Sequence, residues 1–272
     1  MFSISIVLYK NKAKEIINLI NSIFKYNNQL ITELFLIDNS PGDELKSLKE
    51  IDNRISYFFN NANLGYGKGH NIALKNAINN DYKYHLVLNP DIIFQKEIIN
   101  ELLNYMDHNN NVGQIMPKIL YPDGNIQYLC KLIPTPIDLL IRLLMPNKFF
   151  EKRRKKFELR FTNYDKIMEV PYLSGCFMLL RIKAVKEVGF FDERFFMYPE
   201  DIDLTRRINK KYKTIFYPKV AVQHEHAKES FRSPKLLLKH IYNLILYFNK
   251  WGWVIDNDRE KTNKKILQKL NY

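Results

Sequence analysis

Tyr84-His85-Leu86-Val87-Leu88-Asn89-Pro90-Asp91 is the stretch whose reading decides the fold. A short apolar run bounded by turn signals predicts a buried strand. Proline has no N–H to give to a central ladder, so the chain must turn at Pro90 and leave Asp91 at the strand's carboxyl end. In an open α/β sheet that end is where ligands bind. A carboxylate there can hold a divalent cation, and the cation can hold a diphosphate. Asp91 could instead cap a helix beginning near Gln95, and the stretch alone leaves both readings open.

Outward from this strand, strands and helices alternate. Ile4 to Leu8 reads as a strand, and Asn11 to Tyr26 carries Ile16, Leu19, Ile20 and Ile23 at helical spacing. Leu34 to Ile37 is a second apolar run, closed by the turn formers Asp38-Asn39-Ser40-Pro41-Gly42-Asp43. Ile55 to Phe59 is a third, and Asn63-Leu64-Gly65-Tyr66-Gly67-Lys68-Gly69 leads into a helix through about Ile78. Beyond Asp91, a helix from about Lys96 to Met106 precedes a strand from Val112 to Met116. This rhythm predicts parallel βαβ units and an α/β sheet with helices on both faces. It breaks after Pro117, where residues 119–171 mix turn residues, prolines and basic residues and read as an inserted segment. Regularity returns with Tyr172 to Leu180, a helix near Asp201 to Lys210 and a strand from Thr214 to Tyr217. The expected division is a domain over 1–231 and an aromatic, basic helical extension over 232–272.

A hydrophobic fraction of 46% in 272 residues excludes a disordered chain and allows a large core. No apolar run is long enough to span a bilayer, and the first residues read as a strand, not a leader. Cys130 and Cys176 lie far apart without metal-ligand spacing, which predicts a reducing, cytoplasmic setting. The net charge of +13 favours partners that carry phosphate. Its densest cluster, Lys152-Arg153-Arg154-Lys155-Lys156, follows the apolar Ile137 to Met145. That pairing suits an anionic membrane surface, and equally a core helix followed by a solvated loop.

Candidate chemistry sits at the ends of elements. Asp38 ends its strand as Asp91 does, so both should face one rim, where Asp38 could accept from a ribose or base, or simply make an Asx turn. The glycines at 65, 67 and 69 fit neither a Walker loop nor the dinucleotide fingerprint. They supply close backbone approach at a helix start, with amides open to an anion. Glu200-Asp201 follows Pro199 at a helix N-terminus, where acids suit the macrodipole. The aromatic Phe195-Phe196-Met197-Tyr198 before them could also raise a carboxyl pKa towards general-base duty. His224-Glu225-His226 ends a strand-like run over Val220 to Val222 and can place imidazoles on one side.

Five motifs in order resemble a family 2 inverting glycosyltransferase of the GT-A fold, nearest its bacterial rhamnosyltransferase-like branch. They are Leu36 to Ser40, Asn63 to Asn71, Leu88-Asn89-Pro90-Asp91, Ser174 to Met178, and Phe190 to Glu193 leading to Phe196 to Leu204. The resemblance covers about Ile4 to Ser230. It implies a nucleotide-diphospho-sugar site formed by Asp38, Asn63, Gly65, Lys68, Asn89, Asp91 and Gly175. Asp91 matches the final acid of the family's DxD motif, and Asn89 replaces the first. That leaves one carboxylate fewer for a Mn2+ or Mg2+ ion and makes His224 an expected additional ligand. Asp201 matches the catalytic base, with Glu200 orienting the acceptor. The implied acceptor is a saccharide on polyprenyl diphosphate at the cytoplasmic face of the inner membrane. The implied pathway is synthesis of surface polysaccharide such as O-antigen or capsule.

Three other readings compete. A nucleotidyltransferase should carry a basic glycine-rich loop after its first strand, and Tyr9-Lys10-Asn11 is no such loop. A nucleic-acid binder should show a recognition motif, and the chain carries only dispersed basic residues. A catalytically silent relative would keep the fold without needing Asp91, Asp201 and His224.

Overall fold

The computed structural model describes residues 1–139, 150–225 and 234–272 of the chain. Strands β1 (Phe2–Leu8), β2 (Glu33–Asp38), β3 (Ile55–Phe59) and β4 (Tyr84–Leu88) lie parallel in the order β3-β2-β1-β4. Helices α1 (Ala13–Asn27), α2 (Tyr66–Asn79) and, after the short β5 (Ile92–Ile93), α3 (Ile99–His108) follow the expected rhythm. The second half supplies β6 (Val112–Leu120), β7 (Cys130–Lys131), α4 (Glu151–Phe157), β8 (Met168–Glu169), β9 (Tyr172–Leu173) and β10 (Phe177–Arg181). After them come α5 (Ile182–Val188), α6 (Glu200–Asn209), β11 (Lys213–His224), α7 (Pro234–Trp251) and α8 (Asn257–Lys269).

Between Tyr172 and Leu180, Ser174-Gly175-Cys176 separates β9, which pairs with β7, from β10 in the main sheet. Strand β10 runs antiparallel between β4 and β6, so the order continues β4-β10-β6-β11-β5 in the expected, mostly parallel α/β sheet. The runs at 214–217 and 220–222 merge into one strand, with a register shift between Tyr217 and Ala221 across from β6. Because β6 and β4 both oppose β10, and β11 runs parallel to β6, the carboxyl ends of β2, β4 and β11 share one rim. The Gly175 turn, entering β10 from the opposite direction, reaches the same rim.

Side chains alternate across the sheet as a period of two requires. Leu34, Leu36, Leu86, Leu88 and Leu179 face the side covered by Ile16, Leu19, Ile20 and Ile23 of α1 and by α3. Phe35, Ile37, Val87, Met178 and Leu180 face the other, under Ala73, Leu74 and Ala77 of α2, Val185 of α5 and Leu204 and Ile208 of α6. Cys130, Leu132, Phe157, Tyr164 and Val170, from the expected insertion, join the first of these clusters. A third cluster seats Tyr247 and Phe248 of α7 against Phe195, Ile202, Tyr172 and Leu139. Both cysteines are free and buried.

Candidate active site

Asp91 does not cap a helix. The chain after it enters β5, which pairs Ile92 with His224, and α3 begins only at Ile99 with Ile98 at its N-cap. Two backbone bonds fix the turn: Asn89 N–H donates to Cys176 O and Glu225 N–H to Asp91 O, at 3.0 Å each. Asp91 Oδ1 lies 3.1 Å from Nε2 of His224, a buried side chain at the end of β11. Asn89 Nδ2 is 3.5 Å from the same nitrogen.

Gln127 sets the chemistry of that imidazole. Its Nε2 donates to the His224 carbonyl at 2.7 Å, so its Oε1, 2.9 Å from His224 Nδ1, must accept. Nδ1 therefore carries the ring proton, and in the neutral ring Nε2 turns a lone pair towards the Asp91 carboxylate. A second proton on Nε2 would make the contact an ion pair, and a cation beside the lone pair of the neutral ring would join the same two groups. This is the arrangement in which an outer partner fixes a metal-ligating histidine. No group of three or more His, Cys, Asp or Glu side chains fit for a metal occurs among the described residues. An imidazole and one carboxylate nonetheless suit Mn2+ or Mg2+ when phosphate oxygens and water complete the shell. His226 lies outside the described residues.

Across the rim, the first turn of α6 carries Glu200 and Asp201. Asp201 is partly exposed and held by two amides: Gly175 N–H donates to Oδ2 at 2.9 Å and Ile202 N–H to Oδ1 at 2.8 Å. Tyr172 Oη stands 3.5 Å from Oδ2. A Cβ on Gly175 would meet Asp201 Cβ at 3.1 Å, so the turn approaches this closely only as glycine. Glu200 is buried, and its Oε2 has no hydrogen-bond partner among the described residues. Burial, then the neighbouring Asp201 charge, raises its pKa well above the ordinary carboxyl range. Of the pair, Glu200 is the one whose burial favours the protonated form.

Tyr66 ties the two sides together. Its hydroxyl donates to Gly175 O at 2.7 Å. Burial raises its pKa first, followed by the charges of Glu200, Cys176, Asp201 and Asp91. The Cys176 thiol is pushed up to about 12, chiefly by burial, with Asp91 and Asp201 contributing in the same direction. The rim thus gathers Asp91, His224, Glu200 and Asp201 around the Tyr66–Gly175 contact.

The other predicted residues are placed differently. Asp38 reaches the rim but is fully buried, its oxygens taken by Tyr57 Oη at 2.6 Å and Ser40 N–H at 2.8 Å. The second bond is the Asx turn. The amides of the glycine loop are not all open to an anion, as expected from sequence: Gly65 N–H goes to Asn63 Oδ1 at 3.1 Å and Tyr66 N–H to Phe196 O at 3.0 Å. Gly65 sits at φ +84°, and a Cβ there would lie 2.2 Å from Phe196 O. Its glycine locks α2 to the segment before Glu200. Lys68 pairs with Glu193 at 3.5 Å, and no contact joins it to Asp91 or His224 among the described residues.

Helix α6 is braced from behind. Asp203, fully buried, accepts from Arg207 at 2.8 Å, Lys250 at 2.6 Å and Trp251 Nε1 at 2.8 Å. Arg206 reaches Asp256 and Asp258 and lies over the Trp251 ring, 4.0 Å from its centroid. Removing one partner of such a buried pair costs about 3–5 kcal/mol. Gln127, Tyr57, Tyr172 and these braces escaped the sequence reading. Tyr66 stood inside the glycine stretch but drew no notice there, since only its packing gives it a role.

The family model described as Glycosyl transferase family 2 matches residues 3–189. The chain is 30% identical over 186 residues to an N-acetylglucosaminyl-diphospho-decaprenol L-rhamnosyltransferase of Mycobacterium tuberculosis, covering 64% of the chain and 59% of the relative. It is 28% identical over 215 residues to the low-salt glycan biosynthesis hexosyltransferase Agl10 of Haloferax volcanii, covering 77% and 62%. The chain thus spans about three-fifths of the length of these relatives. The fold is also that of GalNAc-T7, solved with UDP, GalNAc and Mn2+: TM-score 0.65 and 16% identity over 92% of this chain and 48% of that one.

Proposed function

The chain belongs to glycosyl transferase family 2, and we propose that it is an inverting glycosyltransferase. It would move rhamnose or another hexose from a nucleotide-diphospho-sugar to a saccharide acceptor on a polyprenyl diphosphate, at the cytoplasmic membrane face, in surface polysaccharide synthesis. One observation carries the reading. Asp91 Oδ1 and His224 Nε2 converge at 3.1 Å, while Asp201, held by Gly175 N–H, stands on the same rim.

In this reading the acceptor hydroxyl oxygen attacks the anomeric carbon from the face opposite the diphosphate. The new C–O bond forms as the bond to the diphosphate breaks, and the bonding pair leaves with the nucleoside diphosphate. Asp201 takes the acceptor's proton. Gly175 and Ile202 N–H groups aim its carboxylate, and burial of Glu200 favours the protonated form of that neighbour. A divalent cation held by Asp91 and His224, with Asn89 adjacent, would supply charge neutralisation of the leaving diphosphate. Asp38, with Asn63 and Gly65, is assigned to the nucleoside: it would exchange the Tyr57 hydroxyl for a ribose or base imide. The names of the relatives support the sugar class and the lipid-linked acceptor.

The test is a panel of dTDP-rhamnose, UDP-galactose, UDP-glucose, UDP-N-acetylglucosamine and GDP-mannose. Each is measured for binding and hydrolysis with Mn2+ or with EDTA, on wild type and Asp91→Ala. One donor bound only with metal, and lost in the variant, is the expected result. Failure to bind any donor under either condition would sink the reading.

A further inference from the structure

We infer that Tyr66 is a positioning residue for the proposed base Asp201, acting through the Gly175 turn and the entry to α6. The role of Asp201 comes from the transferase reading, and this inference rests on that reading. Asp201 stands where its own helix, α6, and the Gly175 N–H that donates to Oδ2 at 2.9 Å put it. Tyr66 is bonded to both supports. Its hydroxyl donates to Gly175 O at 2.7 Å, and its backbone N–H donates to Phe196 O at 3.0 Å, shortly before α6 begins.

Tyr66 is itself anchored from behind. Helix α2 comes this close to α6 because it begins on glycines: a Cβ on Gly67 would lie 2.9 Å from Phe191 Cβ and 3.3 Å from Glu200 Cγ. One turn further along α2, the His70 ring packs edge-on against the Tyr66 ring, with centroids 4.4 Å apart. His70 Nδ1 lies 2.7 Å from Ser5 Oγ, and Ser5 Oγ lies 2.7 Å from His85 Nε2. Ser3 Oγ ends the chain, 2.8 Å from His85 Nδ1. All four side chains are fully buried. Burial pushes the pKa of both histidines down, so the chain ties α2 to β1 and β4 without charge. Hydrogen bonds in so dry an interior are strong. What Tyr66 holds is therefore held to the sheet.

The hydroxyl is a lasting donor. Burial first, then the charge of Glu200, raises its pKa well above the ordinary phenol range, so it keeps the proton that Gly175 O accepts. Without that bond the Gly175 turn can tilt, and its N–H moves off Asp201. A carboxylate then loses a hydrogen bond to its charged form, and a reacting group misplaced by about 1 Å loses on the order of 10²-fold in rate. The far end of the turn is held separately, by the Asn89 N–H that donates to Cys176 O at 3.0 Å. Loss of the hydroxyl therefore falls on Asp201 and largely spares the Asp91 side.

The experiment is donor turnover by Tyr66→Phe, Asp201→Asn and the double variant. It uses the full chain, Mn2+ and the sugar nucleotide of the panel that wild type turns over. Tyr66→Phe should lower kcat about 10- to 100-fold with donor KM within about twofold of wild type. The acid limb of its kcat/KM profile should move up by roughly half a pH unit, because Asp201 loses hydrogen bonding that favours its charge. The other titratable groups around Asp201 among the described residues, Glu200, Tyr172 and Cys176, stay in place, so the shift reports the lost contact. Thermal unfolding should move by only about 2–4 °C. The double variant decides the route. A residue acting through Asp201 has nothing left to position in Asp201→Asn, so adding Tyr66→Phe there should change the residual rate by less than about twofold. Gly175→Ala, whose Cβ would meet Asp201 Cβ at 3.1 Å, disturbs the same turn from its other side. It should show the same loss and limb shift, and keeps the test open if Tyr66→Phe misfolds. The inference is overturned if Tyr66→Phe turns over donor like wild type, if its whole loss lies in KM, or if it costs as much in Asp201→Asn as in wild type. Each of those outcomes leaves the transferase reading standing. A wild type that turns over no donor defeats that reading, and this inference with it.

Discussion

The two ends of the rim differ in how their acids are held. At the β2 end, Asp38 is closed in, with Tyr57 and Ser40 on its oxygens and no exposed surface. At the β4–β11 end, Asp91 lies 3.1 Å from His224 Nε2, Glu200 keeps an oxygen without a hydrogen-bond partner among the described residues, and Asp201 is partly exposed. Buried polar atoms are nearly always satisfied in folded proteins. The first end is therefore hydrogen-bonded as it stands, while the second is the one that the proposed reading opens to groups from outside. The same residue type, at the same kind of strand or helix end, is held in two different ways.

The sharpest way to break this comparison is to remove the open acid. Asp201→Asn should lower kcat by about 10²- to 10⁴-fold with donor KM nearly unchanged, as loss of a general base does. Steady-state kinetics with donor and acceptor check it, and a pure KM effect would move Asp201 from chemistry to binding. Asp91→Ala should cost roughly 10²-fold in donor affinity with Mn2+ and little with EDTA, measured by calorimetry. Gln127→Ala keeps Asp91 and His224 but frees the His224 ring, and if these two hold the proposed cation it should weaken metal binding about 10- to 100-fold. If Gln127 were a mere loop residue, metal titration would show no change.

At the closed end the expected effects are smaller and fall on stability. Gly65→Ala forces a side chain into φ +84° and against Phe196 O, costing about 1–3 kcal/mol in thermal unfolding. Tyr57→Phe removes one hydrogen bond, worth about 1 kcal/mol. If Asp38 exchanges Tyr57 for a nucleoside, the same variant should tighten donor binding slightly, because the exchange no longer has to break a bond. Unchanged donor affinity would make Asp38 a brace and nothing more.

How far the sequence reached follows from the same physics. Strands β1 to β4 and α1 to α3 were legible because each apolar run is local, periodic and bounded by turn formers. Strand β10 was not, because its direction is set by partners far away: the run Phe177 to Leu180 reads the same whichever way it points. Asp91, Asp201, Gly175 and His224 could be singled out because they stand at element ends in a recognisable order. Gln127 could not, since nothing within the 121–129 loop distinguishes it before His224 is folded beside it. The glycine at 65 was legible as a close approach, but not what approaches. The amides expected to be open are half used by Asn63 and Phe196.

The subtlest test lies within one pair of adjacent residues. Glu200 has its pKa raised by burial and by Asp201, so the folded chain keeps a proton that the unfolded chain, titrating near 4.5, has given up. In that window the native state binds more protons than the unfolded one, so stability falls as pH rises. The favourable contribution is complete below the unfolded value, and the decline stops only once pH passes the folded value. The slope from this group cannot exceed about 1.4 kcal/mol per pH unit. Glu200→Gln removes it, and chemical denaturation from pH 5 to 8 should show a flatter profile and a variant that gains on wild type at the alkaline end. Its kcat should stay within about threefold of wild type if Asp201 is the base, as proposed. A loss as large as that of Asp201→Asn would reverse the two roles and make the buried acid, not the open one, the working base.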